Sequence, residues 1–517
     1  MKLPPNDVKT IVLGEGEDLV TPAVKRDGGA AIYTLNYEVA VDGGYRRVEG
    51  YERLDGQTAP SAGGTRGDIL AVPGSGGILG VAVYDGDVYA FRDNAGGTAV
   101  DLYKATASGW SQVTLSNAIT AGARIDHLAY NFTGAVSGKR LYWANGNDRC
   151  IEFDGTTDTQ LTGTGAPTAP QHLAAAGNRL VLSSAGGQVD LSPVGTPTSS
   201  DWTVTGGSIN MGDEVTAMIP HVAGALTVLC AERINILNEV AGSLSNASMQ
   251  EHTSHTGARE WTSQRFTDVL FLDTFGVSSL SATQAYGDFE MNSLSRRVKP
   301  LVDYWRPSAA ASVVSRRKNQ YRLYFPDSDN GVTDVLTGTR VGDSMRWARG
   351  KLGFVLTCVT SAEIDGEERL FAGSTSGMVY ELDVGSDFDG EEILAILRLP
   401  FNHLGTPSAL KRFRRIWADV STPAQFDASL SVEINYADPD TPPSVRMTDE
   451  LLGGGGMWSV DRWSEFAWSA RQLGELEAQL AGSGMNVGII LSSRGDDVPV
   501  HTWQSVRIKY TTRAIDR

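Results

Sequence analysis

From Gly80 to Asn94 the chain reads GVAVYDGDVYAFRDN, a run of β-branched and aromatic residues that climbs to Asp85-Gly86 and falls away again. Gly accepts a positive φ without a Cβ clash, so Asp-Gly between two such runs predicts a β-hairpin. The figure recurs in KRLYWANGNDRCIEFDG (Lys139–Gly155), NRLVLSSAGGQVDLS (Asn178–Ser192), GALTVLCAERINILNE (Gly224–Glu239) and DVLFLDTFGVSSLSA (Asp268–Ala282). NQYRLYFPDSDNGVTDVL (Asn319–Leu336) and ERLFAGSTSGMVYELDVG (Glu368–Gly385) complete the series. The turn centres fall at positions 86, 146, 186, 232, 276, 331 and 377. Their spacing of roughly 40–60 residues is the meter of a β-propeller blade. The expected fold is all-β, a β-propeller of six to eight blades, since hairpins alone do not number the blades.

At 517 residues the chain exceeds one ordinary core, so a second, smaller domain is expected. Its 58 glycines suit a protein made of hairpins. The formal net charge is −17. A protein that grips phosphates is usually basic, so tight nucleic-acid binding is not expected, although an acidic wall lets DNA slide past. Cys150, Cys230 and Cys358 are far apart without a C-x-x-C spacing and predict buried free thiols rather than a disulfide frame or zinc site. The opening MKLPPNDVKT lacks an apolar signal core, and no run of ~20 apolar residues occurs. Synthesis in a reducing cytoplasm and no membrane span are the expectations.

Residues 1–60 do not follow the blade meter. AIYTLNYEVAV from Ala31 and the hairpin after it predict an N-terminal strand region that joins the propeller edge or closes its last blade. Residues 61–394 carry the seven units, with HLAYNF at His127 and HLAAAG at His172 as candidate inner strands. Residues 395–517 alternate in period two without the turn meter (KRFRRIWADV, LSVEINY, VGIILSS, VRIKYTT) and predict an antiparallel β-sandwich. Within them, ARQLGELEAQL (Ala470–Leu480) is read as strand and turn rather than helix, and LLGGGG (Leu451–Gly456) as a mobile loop.

No catalytic signature and no cofactor fingerprint emerges. GSGGILG (Gly74–Gly80) lacks the register of a dinucleotide loop and is expected to be a plain loop. His252 and His255 form H-x-x-H without a third ligand. Asp383, Asp387 and Asp389, ending in Gly390, resemble the front half of a calcium loop, but Ile396 stands where a bidentate Glu belongs; a polar turn is the plainer expectation. Trp110, Trp143, Trp202, Trp261, Trp305 and Trp347 are expected in blade cores rather than along a sugar groove. Basic clusters occur at Arg316-Arg317-Lys318 and at Lys411, Arg412, Arg414 and Arg415; the second is a candidate subunit-contact patch, against a default of a solvated strand face.

GYERLDGQTAPS (Gly50–Ser61), LFLDTFGVSSLSATQAYGDF (Leu270–Phe289), FAGSTSGMVYELDVGSDFDG (Phe371–Gly390), KRFRRIWADV and the closing VRIKYTTRAIDR together resemble the tail nozzle family of short-tailed bacteriophages, also called tail tubular protein B or packaged-DNA stabilisation proteins. The matching pieces are turns and strands, not a catalytic signature. The resemblance implies a structural, non-enzymatic virion protein. It implies a homohexameric ring below the portal and adaptor, with tail fibre or tail needle proteins as neighbours. Double-stranded DNA would pass through the ring without sequence specificity, and Gly453–Gly456 would be one candidate for the gate. The alternative from another class is a carbohydrate-binding or glycan-hydrolysing propeller, which requires an acidic pair and stacking aromatics in a central pocket. A propeller scaffold for cytoplasmic partners is a third.

Overall fold

Alternating β-branched and aromatic runs become strands almost wherever they occur, and the turn dipeptides adopt the left-handed backbone that hairpins require, as at Asp85 (φ 53) and Gly86 (φ 84). The computed structural model describes residues 7–221, 224–241, 247–281, 293–424, 426–436, 445–451 and 472–513. The Leu451–Gly456 segment expected to be mobile therefore lies almost wholly outside the described residues. Seven of the nine sheets among the described residues are consecutive antiparallel blades, over residues 75–120, 126–160, 170–210, 215–253, 264–279, 311–352 and 356–382. The inner strand of each blade lies against that of the next, and blade 7 meets blade 1, so the ring closes. A closed ring leaves no long free sheet edge. The expected propeller is present with seven blades. GSGGILG is not a loop: Ser75–Tyr84 is the inner strand of blade 1, with register shifts near Ile78 where small residues relax the pairing.

The first and last described strands lie in one β-sandwich. One sheet holds the hairpin of β3 (Tyr37–Val39) and β4 (Tyr45–Arg47), then the strands Thr502–Thr512, Lys411–Thr422 and Gln472–Gly484, with β1 (Asp7–Val12) running antiparallel along Thr502–Thr512. The other holds β2 (Tyr33–Leu35), Ile393–Arg398, Val487–Gly495, Phe426–Ile434 and Val445–Leu451. Of the stretch Ala470–Leu480, the described part from Gln472 onward is strand. Phe413, Ile416, Ala418, Val420, Leu430, Val432, Ile489 and Trp503 fill the space between the sheets. A bulge between Phe413 and Arg415 resets the alternation so that Phe413 and Ile416 both face inward.

This corrects the expectation for residues 1–60. Only β5 (Tyr51–Leu54) joins the propeller, where it pairs with Val379–Leu382 as the outer strand of blade 7; β1 to β4 belong to the sandwich. The reason is one residue. AIYTLNYEVAV is unbroken in its alternation, but Asn36 takes φ 54, a left-handed conformation that Asn tolerates. Its side chain holds the kink by donating to the Leu394 carbonyl (2.9 Å) and accepting from the Lys351 amide (2.9 Å). The run thereby divides into β2 in one sheet and β3 in the other. No helix among the described residues is long and apolar enough to cross a membrane.

Closure of blade 7 rests on Tyr51. Its ring is buried, stacked on Phe388 (centroids 4.8 Å) and edge-on to Phe354 and Tyr380, and its hydroxyl accepts from the Gly353 amide (3.1 Å). Tyr51→Ala is expected to cost about 3–5 kcal/mol in guanidinium unfolding. Tyr51→Phe, which removes only one hydrogen-bonding group, should cost about 1 kcal/mol. Amide exchange at Val379–Leu382 should accelerate in the first variant and stay near wild type in the second.

Candidate functional site

The inner strands of all seven blades enclose a central channel with a cavity of about 310 Å³. Most of its lining consists of short strand residues, but one mouth gathers a polar cluster. Arg124 and Asp126 come from the entry to the inner strand of blade 2 and His172 from that of blade 3. A bulge between Pro170 and His172 breaks the pairing there and re-aims Gln171 and His172. Glu260 and Trp261 arrive from the connection between blades 4 and 5.

His172 is buried and sits between two carboxylates: Nδ1 is 3.3 Å from Asp126 Oδ2, and Nε2 is 3.5 Å from Glu260 Oε1, a distance at which no close hydrogen bond forms. Burial disfavours the imidazolium, but the two carboxylates outweigh it and hold the pKa up at about 9. The imidazolium in turn keeps Glu260 below its usual range, and Gln171 Nε2 donates to the same carboxylate (2.9 Å). Trp261 adopts φ 63, a conformation that strains a bulky residue. Its ring lies 4.1 Å from the Arg124 guanidinium and meets His172 edge-on at 5.0 Å. Burial lowers the pKa of Arg124, whose Nη1 donates to the Ala310 carbonyl (2.5 Å). His127 is held neutral by burial.

HLAAAG reads as an inner strand, but nothing local in the sequence marks Asp126, His172 and Glu260 as neighbours across three parts of the ring. Trp261 corrects the expectation for the tryptophans: it faces the channel, whereas Trp143, Trp202 and Trp347 are in blade cores.

The carboxylates singled out in the sequence belong to a different place, the seam between propeller and sandwich, and each meets a cation. Asp383 is buried against Lys318 Nζ (3.1 Å) and Arg322 Nη2 (2.9 Å). Burial alone raises its pKa, but Arg322 and Lys318 carry it well below the usual carboxylate range. Lys318 Nζ also contacts Glu38 (3.2 Å) and Glu49 (3.0 Å). Asp389 accepts from Arg53 Nη2 (2.6 Å) and, with Asp387, faces Arg66 at 3.2 and 3.3 Å. The half calcium loop is therefore an ion-pair seam: its oxygens are turned to arginine and lysine, not toward one another. Among the described residues no group of three or more His, Cys, Asp or Glu is placed to hold a metal. His252 instead meets the Leu280 carbonyl at 3.1 Å.

The basic patch is also reduced. Lys411 points inward and donates to the carbonyls of Thr406, Ala409 and Met485 at 2.6, 3.0 and 3.1 Å, because the strand's alternation puts it on the core side. Arg415 pairs with Glu477 (2.7 Å). Arg412 and Arg414 alone of the four are exposed. Cys150, Cys230 and Cys358 are buried free thiols.

No family model matches the chain, and no curated protein matches it significantly. Among solved structures it is similar to the extracellular domain of a putative hybrid two-component system from B. thetaiotaomicron (10% identity, TM-score 0.38), over 64% of this chain and 39% of that one. It is similar also to the extracellular domain of a putative one-component system from the same organism (11%, TM-score 0.37; 78% and 55% covered). A third is a glycoside hydrolase family 43 arabinoxylan arabinofuranohydrolase from Bacillus subtilis (9%, TM-score 0.25; 86% and 97% covered). The chain thus spans well under two thirds of the first two. The propeller is defined by the chain's own strand pairing.

Two measurements follow from this chemistry. Because the folded pKa of His172 is raised, its contribution is fully present below about pH 6.5 and lost as pH rises through about 9. The stability gap between wild type and His172→Gln should be on the order of 2–3 kcal/mol at pH 6 and close by about pH 10. For Asp383 the sign is opposite, since a depressed pKa stabilises above the ordinary carboxylate value and fails only in strong acid. Asp383→Asn leaves two buried cations short of a partner and should cost about 3–5 kcal/mol at pH 7 in denaturant unfolding.

Proposed function

We propose that this chain is a structural subunit of a tail nozzle of a short-tailed bacteriophage, one of six in a ring below the portal and adaptor that retains packaged DNA and gates its ejection. The observation that carries the proposal is where the resembling segments fall. Gly50–Ser61 contains β5, which closes blade 7; Phe371–Gly390 contains its partner strand and the ion-pair seam; KRFRRIWADV and VRIKYTT are paired central strands of the sandwich. Four of the five resembling segments belong to this framework; the fifth, from Leu270, begins in blade 5.

Mechanics support the same function. The first and last described strands, β1 and Thr502–Thr512, pair along their length, and β5 ties the N-terminal region into blade 7, so force along the chain loads many hydrogen bonds. A net charge of −17 favours passage of DNA over its capture. In a ring, Arg412 and Arg414 are the members of the basic strand free to meet an acidic neighbouring subunit. A hydrolytic propeller, by contrast, needs a carboxylic acid whose pKa is raised, and His172 shifts Glu260 beside the channel the other way.

The test is quantitative mass spectrometry of purified virions from the source lysate. A closed six-fold ring predicts about half the copy number of a twelve-fold portal. Absence of the chain from virions, with the soluble protein present in the lysate, overturns the proposal.

A further inference from the structure

The central channel runs against the charge of the whole molecule. In a chain of net charge −17, its walls carry Arg124, His172, Arg265 and Arg316 against Asp126 and the neighbouring Glu260. A narrow cavity between low-dielectric walls concentrates that local excess of positive charge. Arg124 and Arg265 have no carboxylate within ion-pair distance among the described residues, although Arg124 spends Nη1 on the Ala310 carbonyl, and Arg316 reaches Glu368 only at 3.9 Å, with 78% of its side chain exposed.

A buried polar atom at the cavity adds to this: Ser263 Oγ, on a residue 7% exposed, makes no hydrogen bond within the protein. Buried polar groups rarely go unpaired, and a bound water or ligand is one way to satisfy them. Thr216, Gln264, Ser312, Thr360 and Ser361 complete a lining rich in hydroxyl and amide groups. At the mouth Trp261 is held in the channel despite the strain of φ 63, and strain of this kind persists at sites where a side chain must be aimed. The volume of about 310 Å³ lies at the small end of ligand pockets and excludes a nucleic-acid duplex.

We propose that the propeller's central channel is a binding site for a small anionic sugar, a monosaccharide-sized polyhydroxylated ring carrying one carboxylate or phosphate. Arg124 takes the anionic group, since guanidinium forms strong charge-assisted hydrogen bonds to either oxyanion. Trp261 borders the apolar face of the ring. Asp126 and the hydroxyl-bearing residues exchange hydrogen bonds with the ring hydroxyls. The site is independent of the nozzle proposal, because it lies within a single propeller and needs no neighbouring subunit.

The experiment is calorimetric titration of the full chain at neutral pH with glucuronate, glucose 6-phosphate, glucose and inorganic phosphate. The proposal predicts binding of glucuronate or glucose 6-phosphate, at least about tenfold tighter than glucose or inorganic phosphate. Which of the two binds tells whether the site takes a sugar acid or a sugar phosphate. Arg124→Gln should weaken binding by about tenfold or more. Trp261→Gly removes the ring at a φ that glycine adopts freely, so it should keep its thermal stability and lose affinity by a similar factor. Three results overturn the proposal: no heat from either anionic sugar at about 10 mM, glucose or inorganic phosphate binding as tightly, or folded variants that bind unchanged.

Discussion

Five ionised side chains meet where the propeller touches the sandwich, and the relation between the two domains depends on them. Lys318 and Arg322 come from blade 6, Asp383 from the end of blade 7, Glu38 from β3 of the sandwich, and Glu49 from the turn before β5. Each ion loses several kcal/mol of hydration on burial, and only the complete set of partners offsets that loss. An apolar seam of the same area tolerates sliding; this one does not, because any shift leaves a charge unpaired in a poor solvent. The node therefore fixes alignment more than it adds net stability.

Other buried polar groups repeat the device along the same seam. Arg47 is fully buried with its guanidinium donating to carbonyls of Val498 (2.6 Å) and Gly495 (2.9 Å). Burial lowers its pKa to about 10, so it remains charged at neutral pH. Glu17, also buried, accepts from the Thr34 hydroxyl (2.6 Å) and pairs with Arg349 of blade 6 (2.9 Å). Residues before β5 thus serve as the stitching between two domains whose apolar cores touch at Ala348 and Val341 of blade 6. The weave explains why the N-terminal region does not follow the blade meter: its residues answer to two sheets, a blade and a seam at once.

The channel differs in kind. At the ion node of the seam two cations face three carboxylates, whereas in the channel cations outnumber carboxylates. Both places are lined by ionisable residues, and composition alone does not tell them apart. What separates a structural ion cluster from a receptive one is the count of committed donors and acceptors, and that count exists only in three dimensions.

Much of the architecture was legible in the chain, because hairpins are local. Period-two alternation and turn glycines act within a few residues of each other, so the seven units, the sandwich texture of the C-terminal part and strand rather than helix from Gln472 to Leu480 could all be read from neighbours in sequence. The candidate site could not. Asp126, His172 and Glu260 are far apart along the chain and become neighbours only when the ring closes. Asp383, Asp387 and Asp389 looked like metal ligands because their spacing is visible, while Lys318, Arg322, Arg53 and Arg66, which claim them, are distant in sequence. Asn36 divided an apparently continuous strand between two sheets through a single left-handed φ. Local periodicity determined which segments are strands and how often they turn. Tertiary structure alone decided which strands share a sheet and which charges are spent, since both depend on contacts whose desolvation cost is settled only when the partners arrive together.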